Sequence, residues 1–306
     1  MKAAIIGTGG VGGYFGGKLA RAGCDVTFLA RGEHLKAIQQ NGLTIKSIKG
    51  DFTVGPVKAT DRISAIESVD LIMIALKAWQ VKDVVKDLED LAGSETMILP
   101  MQNGISVIEE LKEHLHLENI IGGLCRIISK IESPGVINHS GIEPVIVFGE
   151  LDNTETARIQ KLKAVFDHAG ITASISNDIT ADLWKKFIPI CVSGLLAVTR
   201  TTYGELRELK ETRQLMIDLL DEIFRLSQKA GIRIEPDFVA KAVAFIDSFP
   251  YDSTSSLTRD IREGKPSELE YQNGTVVKLG ELYKVETPVN RFIYNCLLPM
   301  EIKARR

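Results

Sequence analysis

The sequence predicts an α/β architecture: a doubly wound N-terminal domain over residues 1–176 and an all-α C-terminal domain over residues 177–306. Three observations carry that expectation. A glycine-rich turn follows an apolar strand at the start of the chain, strand-like and helix-like segments alternate through the first half, and amphipathic helical stretches fill almost everything after Asn177.

The opening reads Met1-Lys-Ala-Ala-Ile-Ile-Gly7-Thr-Gly9-Gly-Val-Gly12, and Phe15, Leu19 and Ala20 continue it at helical spacing. The pattern Gly7-x-Gly9-x-x-Gly12 meets three demands: a tight turn after the strand, no side chain where backbone approaches phosphate, and close packing of helix on strand. The N–H groups freed at the first helical turn then face an anion. Gly7, Gly9 and Gly12 are therefore expected to hold a dinucleotide pyrophosphate in a Rossmann-like domain. The next strand, Asp25 to Ala30, is followed by Arg31. An acidic residue there accepts from a ribose 2′-hydroxyl, whereas an arginine pairs with a 2′-phosphate, so Arg31 predicts NADP(H).

Further along, His34 to Gln40 suits a short helix, Asp51 to Ala59 two extended segments, and Val69 to Ala75 a fully buried parallel strand. A helix is expected over Gln80 to Leu91, a strand over Met97 to Pro100 and another helix from Ser106. Ligands of such sheets lie outside the carboxyl ends of the strands, where Lys77 and Asn103 fall. Between Ile120 and Glu150, Gly122-Gly123, Pro134-Gly135 and Asn138-His139-Ser140-Gly141 punctuate β-branched runs, predicting short meandering strands. Glu155 to His168 reads as a helix and Ile171 to Ile175 as a strand. Helices are then expected over Ile179–Leu196, Glu205–Ala230, Asp237–Ile246, Glu268–Tyr283 and Pro288–Lys303.

Composition narrows the function classes. With 44% hydrophobic and 25% charged residues the chain is expected to be globular, and its net charge of −3 gives no basic surface for nucleic acid. No run approaches the ~18 apolar residues of a membrane span, and Met1-Lys2 leads into a strand rather than a secretory leader, which predicts a cytoplasmic protein. Cys24, Cys125, Cys191 and Cys296 lack CxxC spacing and read as small buried hydrophobes. The five histidines show no ligand spacing, so no metal is expected.

Reduction with a nicotinamide needs an acid at the carbonyl oxygen, and lysine can serve. Lys185 and Lys186 stand in the apolar segment Ala181 to Cys191, about 100° apart on a helix, and periodicity does not choose between them. Glu268 follows Pro266, which suits the first helical position; a carboxylate there serves chemistry or merely complements the helix dipole. The run Ser253-Thr-Ser-Ser256 either caps a helix or meets substrate.

These motifs, in this order, resemble the 2-dehydropantoate 2-reductases, also called ketopantoate reductases. The resemblance spans essentially the whole chain: Ile6-Gly-Thr-Gly-Gly-Val-Gly-Gly, Arg31, Leu76-Lys-Ala-Trp-Gln80, Gln102-Asn-Gly104, Ser133-Pro-Gly-Val-Ile-Asn-His139, Trp184-Lys-Lys186, Thr199-Arg-Thr-Thr-Tyr-Gly-Glu-Leu206, Ser255-Ser-Leu-Thr-Arg-Asp-Ile261, Glu268-Leu-Glu-Tyr-Gln-Asn-Gly274 and Thr287-Pro-Val-Asn290. It implies NADPH-dependent reduction of ketopantoate to pantoate in pantothenate and coenzyme A biosynthesis. By position, Lys186 resembles the family's catalytic lysine and Glu268 its carboxylate at the reacting oxygen. Ser256 is similar to a substrate-contacting hydroxyl, and Asn103 and Lys77 to residues at the nicotinamide-ribose end, Asn103 also meeting substrate. The sequence departs from the family where asparagines usually follow the lysine at four and eight residues: here stand Ile190 and Gly194. That departure favours a less hydroxylated 2-oxo acid as an alternative substrate. A non-catalytic NADP-binding sensor is the alternative from another class. The long amphipathic C-terminal helices could bury a homodimer face as readily as an internal core.

Overall fold

Short runs, most of them apolar and buried, become the strands of a parallel sheet. In the computed structural model, which describes residues 1–306, these are β1 (Lys2–Ile6), β2 (Asp25–Leu29), β5 (Lys58–Thr60), β6 (Leu71–Ile74) and β7 (Met97–Pro100). Every residue of β6 and β7 is buried, as a parallel strand covered on both faces requires. The order is β5-β2-β1-β6-β7. The chain starts in the middle, winds outward to one edge and then crosses to β6, so the winding direction switches between β1 and β6. A switch of this kind opens a crevice beyond the carboxyl ends of those two strands.

The second sheet contains β3 (Leu43–Ser47), β4 (Phe52–Val54), β8 (Ile121–Ser133), β9 (Val136–Glu150) and β10 (Thr172–Ile175). Its order is β10-β9-β3-β4, with β8 antiparallel on β9. Helix α1 (Gly10–Arg21) lies between the sheets. A Cβ on Gly16 would come within 2.7 Å of Ile5 and Phe28 on one side, and one on Gly13 within 2.6 Å of Ile137 on the other. The glycine run therefore continues past the turn because the helix is clasped from both faces.

Where short meandering strands were expected between Ile120 and Glu150, β8 and β9 form one long hairpin closed at Pro134-Gly135. The other turn-like residues sit inside the strands. Gly141, at φ +80°, falls where the β8–β9 pairing shifts register, so the irregularity is absorbed as a bulge rather than a turn. Strand β3 was not anticipated. The helices of this unit are α2 (Gly32–Asn41), α3 (Val85–Leu91), α4 (Val107–Lys112) and α5 (Ala157–His168); the helix expected from Gln80 starts as a 3-10 turn, Ala78–Asp83.

The chain divides into two compact units, one of Met1–Gln102 with Val107–Ile179, the other of Asn103–Ser106 with Thr180–Arg306. The division near residue 179 lies three residues beyond the expected boundary, and the four residues after Gln102 belong with the helical unit. That unit holds α6 (Ile179–Ile190), α7 (Val192–Thr199), α8 (Tyr203–Glu208), α9 (Lys210–Lys229), α10 (Phe238–Asp247), α11 (Ser256–Arg262), α12 (Thr275–Tyr283) and α13 (Pro288–Ala304). Its core includes Phe187, Leu195, Leu219, Leu226, Val276 and Ile293.

Three expected helices are interrupted, the one over Glu205–Ala230 at Leu209, which separates α8 from α9. The one over Ile179–Leu196 breaks at Cys191, because Pro189 has no N–H for the Lys185 carbonyl, and, two residues on, the bond from Cys191 N to Phe187 O is stretched to 3.3 Å. The one from Glu268 opens as a π-turn, Glu270–Gly274, before α12. Pro266 consequently lies ahead of the helix rather than at its first position, and Ser267 is held by the Glu301 carboxylate through its N–H and hydroxyl. Helix α11 follows the Ser253–Ser256 run, for which a helix cap was one of the two expected roles. Of the cysteines, Cys125 and Cys191 are buried, Cys24 is half-buried and Cys296 is exposed on α13, against the expectation for the last two. No helix is long and apolar enough to cross a membrane.

Candidate functional site

In the first unit the glycine turn lies against the loop that follows β6. A Cβ on Gly7, which sits at φ +103°, would approach the Leu76 N to 2.9 Å, and one on Gly12 would approach the Gly7 carbonyl oxygen to 2.1 Å. Glycine is forced at both by contact with backbone. Gly9 differs, since a Cβ there would meet nothing within 4 Å. Its bareness serves no packing purpose and leaves open ground before the N-terminus of α1, whose first turn carries no acidic residue. The N–H groups of that turn have no helical acceptors, so the residues present fit a pyrophosphate.

Lys77 stands three residues beyond β6, at the switch between β1 and β6, half-buried, with its backbone N–H donating to Gln80 Oε1 at 3.2 Å. Gln102, a residue that sequence reasoning did not single out, donates from Nε2 to the carbonyls of Ile74 at 2.8 Å and Leu76 at 3.1 Å, joining the ends of β6 and β7. Arg31 lies two residues beyond the end of β2, immediately before the first residue of α2, and is exposed.

In the second unit the two lysines of α6 part company. Lys185 Nζ pairs with Glu235 at 2.8 Å, and that hydrogen bond is the main cause holding the Glu235 carboxyl down at about 2. Lys185 is thus spent on an ion pair with the segment ahead of α10. Lys186, half-buried, projects about 100° around the helix from it. Glu268 is buried, 4% exposed, and accepts from Asn103 Nδ2 at 3.2 Å. Two site residues that lie 165 positions apart in sequence are thereby brought together. The approach depends on Gly104 at φ +105°, where a Cβ would stand 2.7 Å from the Tyr271 carbonyl oxygen. Ser255 caps α11 by accepting from the Thr258 N–H, and Ser256 is the first residue of that helix, half-buried. Thr258 Oγ1 donates to the Ser193 carbonyl at 3.0 Å and so fastens α11 to α7. Lys186 and Ser256 stand on separate helices, α6 and α11.

At the departure from the family pattern the two positions have different fates. Ile190 is an apolar, half-buried side chain at the end of α6. Gly194 is a receiving gap: a Cβ there would lie 2.2 Å from Asn273 Oδ1. Asn273 is fully buried and donates from Nδ2 to the Cys191 carbonyl at 3.1 Å, at the helix break, and to Asn290 Oδ1 at 3.0 Å. Asn290 in turn donates to the buried carboxylate of Glu222 at 2.7 Å, which also accepts the N–H groups of Val289 and Asn290. The space that a side chain at position 194 would take is therefore occupied by the Asn273 amide. In the sequence Asn273 figures only within the segment Glu268 to Gly274 that carries the family resemblance.

Comparison with known proteins identifies the family. The sequence profile described as ketopantoate reductase PanE/ApbA matches residues 3–153, and that described as its C-terminal part matches residues 178–301. The chain is 31% identical over 302 residues to the 2-dehydropantoate 2-reductase of Nostoc sp., covering 97% of this chain and 94% of that protein. Among solved structures it is similar to a PanE/ApbA family ketopantoate reductase from Ralstonia eutropha, with a TM-score of 0.91 and 29% identity over the full length of both chains. D-mandelate dehydrogenase, solved with NADH and anilino(oxo)acetate, has a TM-score of 0.90 at 23% identity, covering 100% of both chains, a likeness of fold alone. With both halves of the chain matched in order, this protein belongs to the ketopantoate reductase family of oxidoreductases.

Proposed function

We propose that the protein is an NADPH-dependent reductase of a 2-oxo acid, with ketopantoate as substrate and pantoate, on the route to pantothenate and coenzyme A, as product. The observation that carries the reading is the Asn103–Glu268 hydrogen bond in the unit that also holds Lys186: a buried carboxylate kept in place by an amide from a distant loop. Bound NADPH would supply a hydride to the keto carbon. Lys186 Nζ gives the developing alkoxide its proton, Glu268 orients the reacting oxygen, and Ser256 and Asn103 hold the substrate. Gly7, Gly9 and Gly12 hold the pyrophosphate, Arg31 the 2′-phosphate, and Lys77 and Asn103 the nicotinamide ribose.

Ile190 favours a second reading, in which the preferred 2-oxo acid carries an apolar branched side chain, because an apolar residue offers no partner to a substrate hydroxyl. Steady-state NADPH oxidation with ketopantoate and with branched 2-oxo acids tests both. The first reading expects the higher kcat/KM for ketopantoate, the second the reverse. No NADPH oxidation with any 2-oxo acid, despite NADPH binding, would leave the sensor and overturn both.

A further inference from the structure

Thr8, between two glycines of the turn, has every polar group committed. It is 4% exposed; its N–H and its hydroxyl both donate to the Leu29 carbonyl, at 3.1 Å and 2.9 Å. Its carbonyl lies 2.8 Å from His34 Nε2. On the far side of the imidazole, the Gly135 N–H points at His34 Nδ1 from 3.0 Å. Gly135 lies in the β8–β9 turn, and its own carbonyl accepts from the Thr44 N–H at 2.9 Å. The network assigns the tautomer: Nδ1 must present a lone pair to Gly135, so Nε2 carries the hydrogen and donates to Thr8. Burial works in the same direction by holding the ring neutral.

The consequence falls on the next residue. A trans peptide is planar, with its C=O and N–H pointing in opposite directions, so fixing the Thr8 carbonyl also fixes the Gly9 N–H. Gly9 is the glycine with open ground in front of it, and its carbonyl already accepts the first helical bond, from Gly13 at 2.8 Å. We propose that His34 is a positioning residue of the dinucleotide site, which by donating to the Thr8 carbonyl sets the direction of the Gly9 N–H that a pyrophosphate would use. The proposal rests on reading the glycine turn as that site. His34 follows Arg31 by three residues, so the first turn of α2 serves the cofactor twice: through charge at its start and through a neutral ring one turn on.

Two conservative variants separate positioning from mere stapling. Glutamine places an amide nitrogen near the Nε2 position and can still donate to Thr8, while His34→Asn places an acceptor near Nδ1 and keeps only the Gly135 bond. Each loses one hydrogen bond, so the melting temperatures of H34Q and H34N should fall by similar amounts. Fluorescence titration with NADPH should show H34Q within about twofold of wild type and H34N weaker by about tenfold, the scale of one hydrogen bond. Adenosine 2′-monophosphate, which lacks the pyrophosphate, should bind wild type and both variants alike. Equal NADPH affinity in the two variants would overturn the proposal, as would a tenfold loss in H34Q, a result open to measurement even if H34N fails to fold. Wild-type protein that binds neither NADPH nor NADH would overturn the dinucleotide reading itself, and the proposal with it.

Discussion

The glycine turn of the first unit and the α6–α7 break of the second use glycine for opposite ends. At Gly7 and Gly12 a side chain is excluded by the protein's own backbone, and the three-glycine spacing states the whole requirement within six residues. At Gly194 a side chain is excluded by Asn273, seventy-nine positions downstream, which reaches the Cys191 carbonyl at the break that Pro189 opens. One arrangement is local and made of main chain. The other is assembled from distant side chains, so a missing family residue there is no measure of a missing function.

The largest expected effect bears on the catalytic half. Lys186→Ala should lower kcat by about 10²-fold or more with NADPH affinity almost unchanged, whereas Lys185→Ala should keep kcat and cost at most about 1 kcal/mol of stability, being an outward-facing pair with Glu235. Steady-state kinetics and thermal melts measure both. Loss of turnover in the Lys185 variant alone would reverse the assignment.

Next comes the gap at 194. Gly194→Asn, which restores the family residue by name, should destabilise the protein by roughly 1–3 kcal/mol because it drives Asn273 from its place, while Ile190→Asn at a half-buried site should be better tolerated. Denaturant unfolding compares the two. If Gly194→Asn is as stable as wild type and improves ketopantoate turnover, the compensation by Asn273 is wrong.

In the local half, Arg31→Ala should weaken NADPH by about tenfold and leave NADH nearly unchanged, since only the 2′-phosphate meets the guanidinium. Paired titrations decide it; equal losses would remove Arg31 from the cofactor site.

The smallest effect is one of pH. Burial lowers the His34 pKa below its ordinary 6.5, so an unfolded chain takes up a proton that the folded chain resists. The stability tied to neutral His34 is complete above pH 6.5 and declines as pH falls from there towards the folded value. Melting temperatures across that window should fall more steeply for wild type than for H34Q; parallel curves would refute the neutral ring.

Legibility in the sequence followed the same division. The parallel sheet, the order of its strands along the chain and the glycine turn were readable because burial periodicity and turn chemistry are local properties. Strand β3 was missed because its five residues gain their place from β9 and β4, and the long hairpin was missed because its bulge at Gly141 looks like a turn. For the site, residue types were legible and partners were not. Nothing local says that Glu235 engages Lys185, that Asn103 reaches Glu268, or that His34 holds Thr8. These are contacts between segments tens to more than a hundred residues apart, decided by packing. The resemblance to the reductase family chose Lys186 where periodicity did not, and the pairing of Lys185 with Glu235 became visible only in the folded chain.

The most direct test of the central claim follows the atoms. Wild-type protein supplied with NADPH carrying deuterium at the transferable C4 position, together with a 2-oxo acid that it turns over, should place one deuterium on C2 of the 2-hydroxy acid, and the Lys186→Ala variant should do so at least about 10²-fold more slowly. Consumption of NADPH without deuterium at C2, or transfer at the wild-type rate by the variant, would contradict the account.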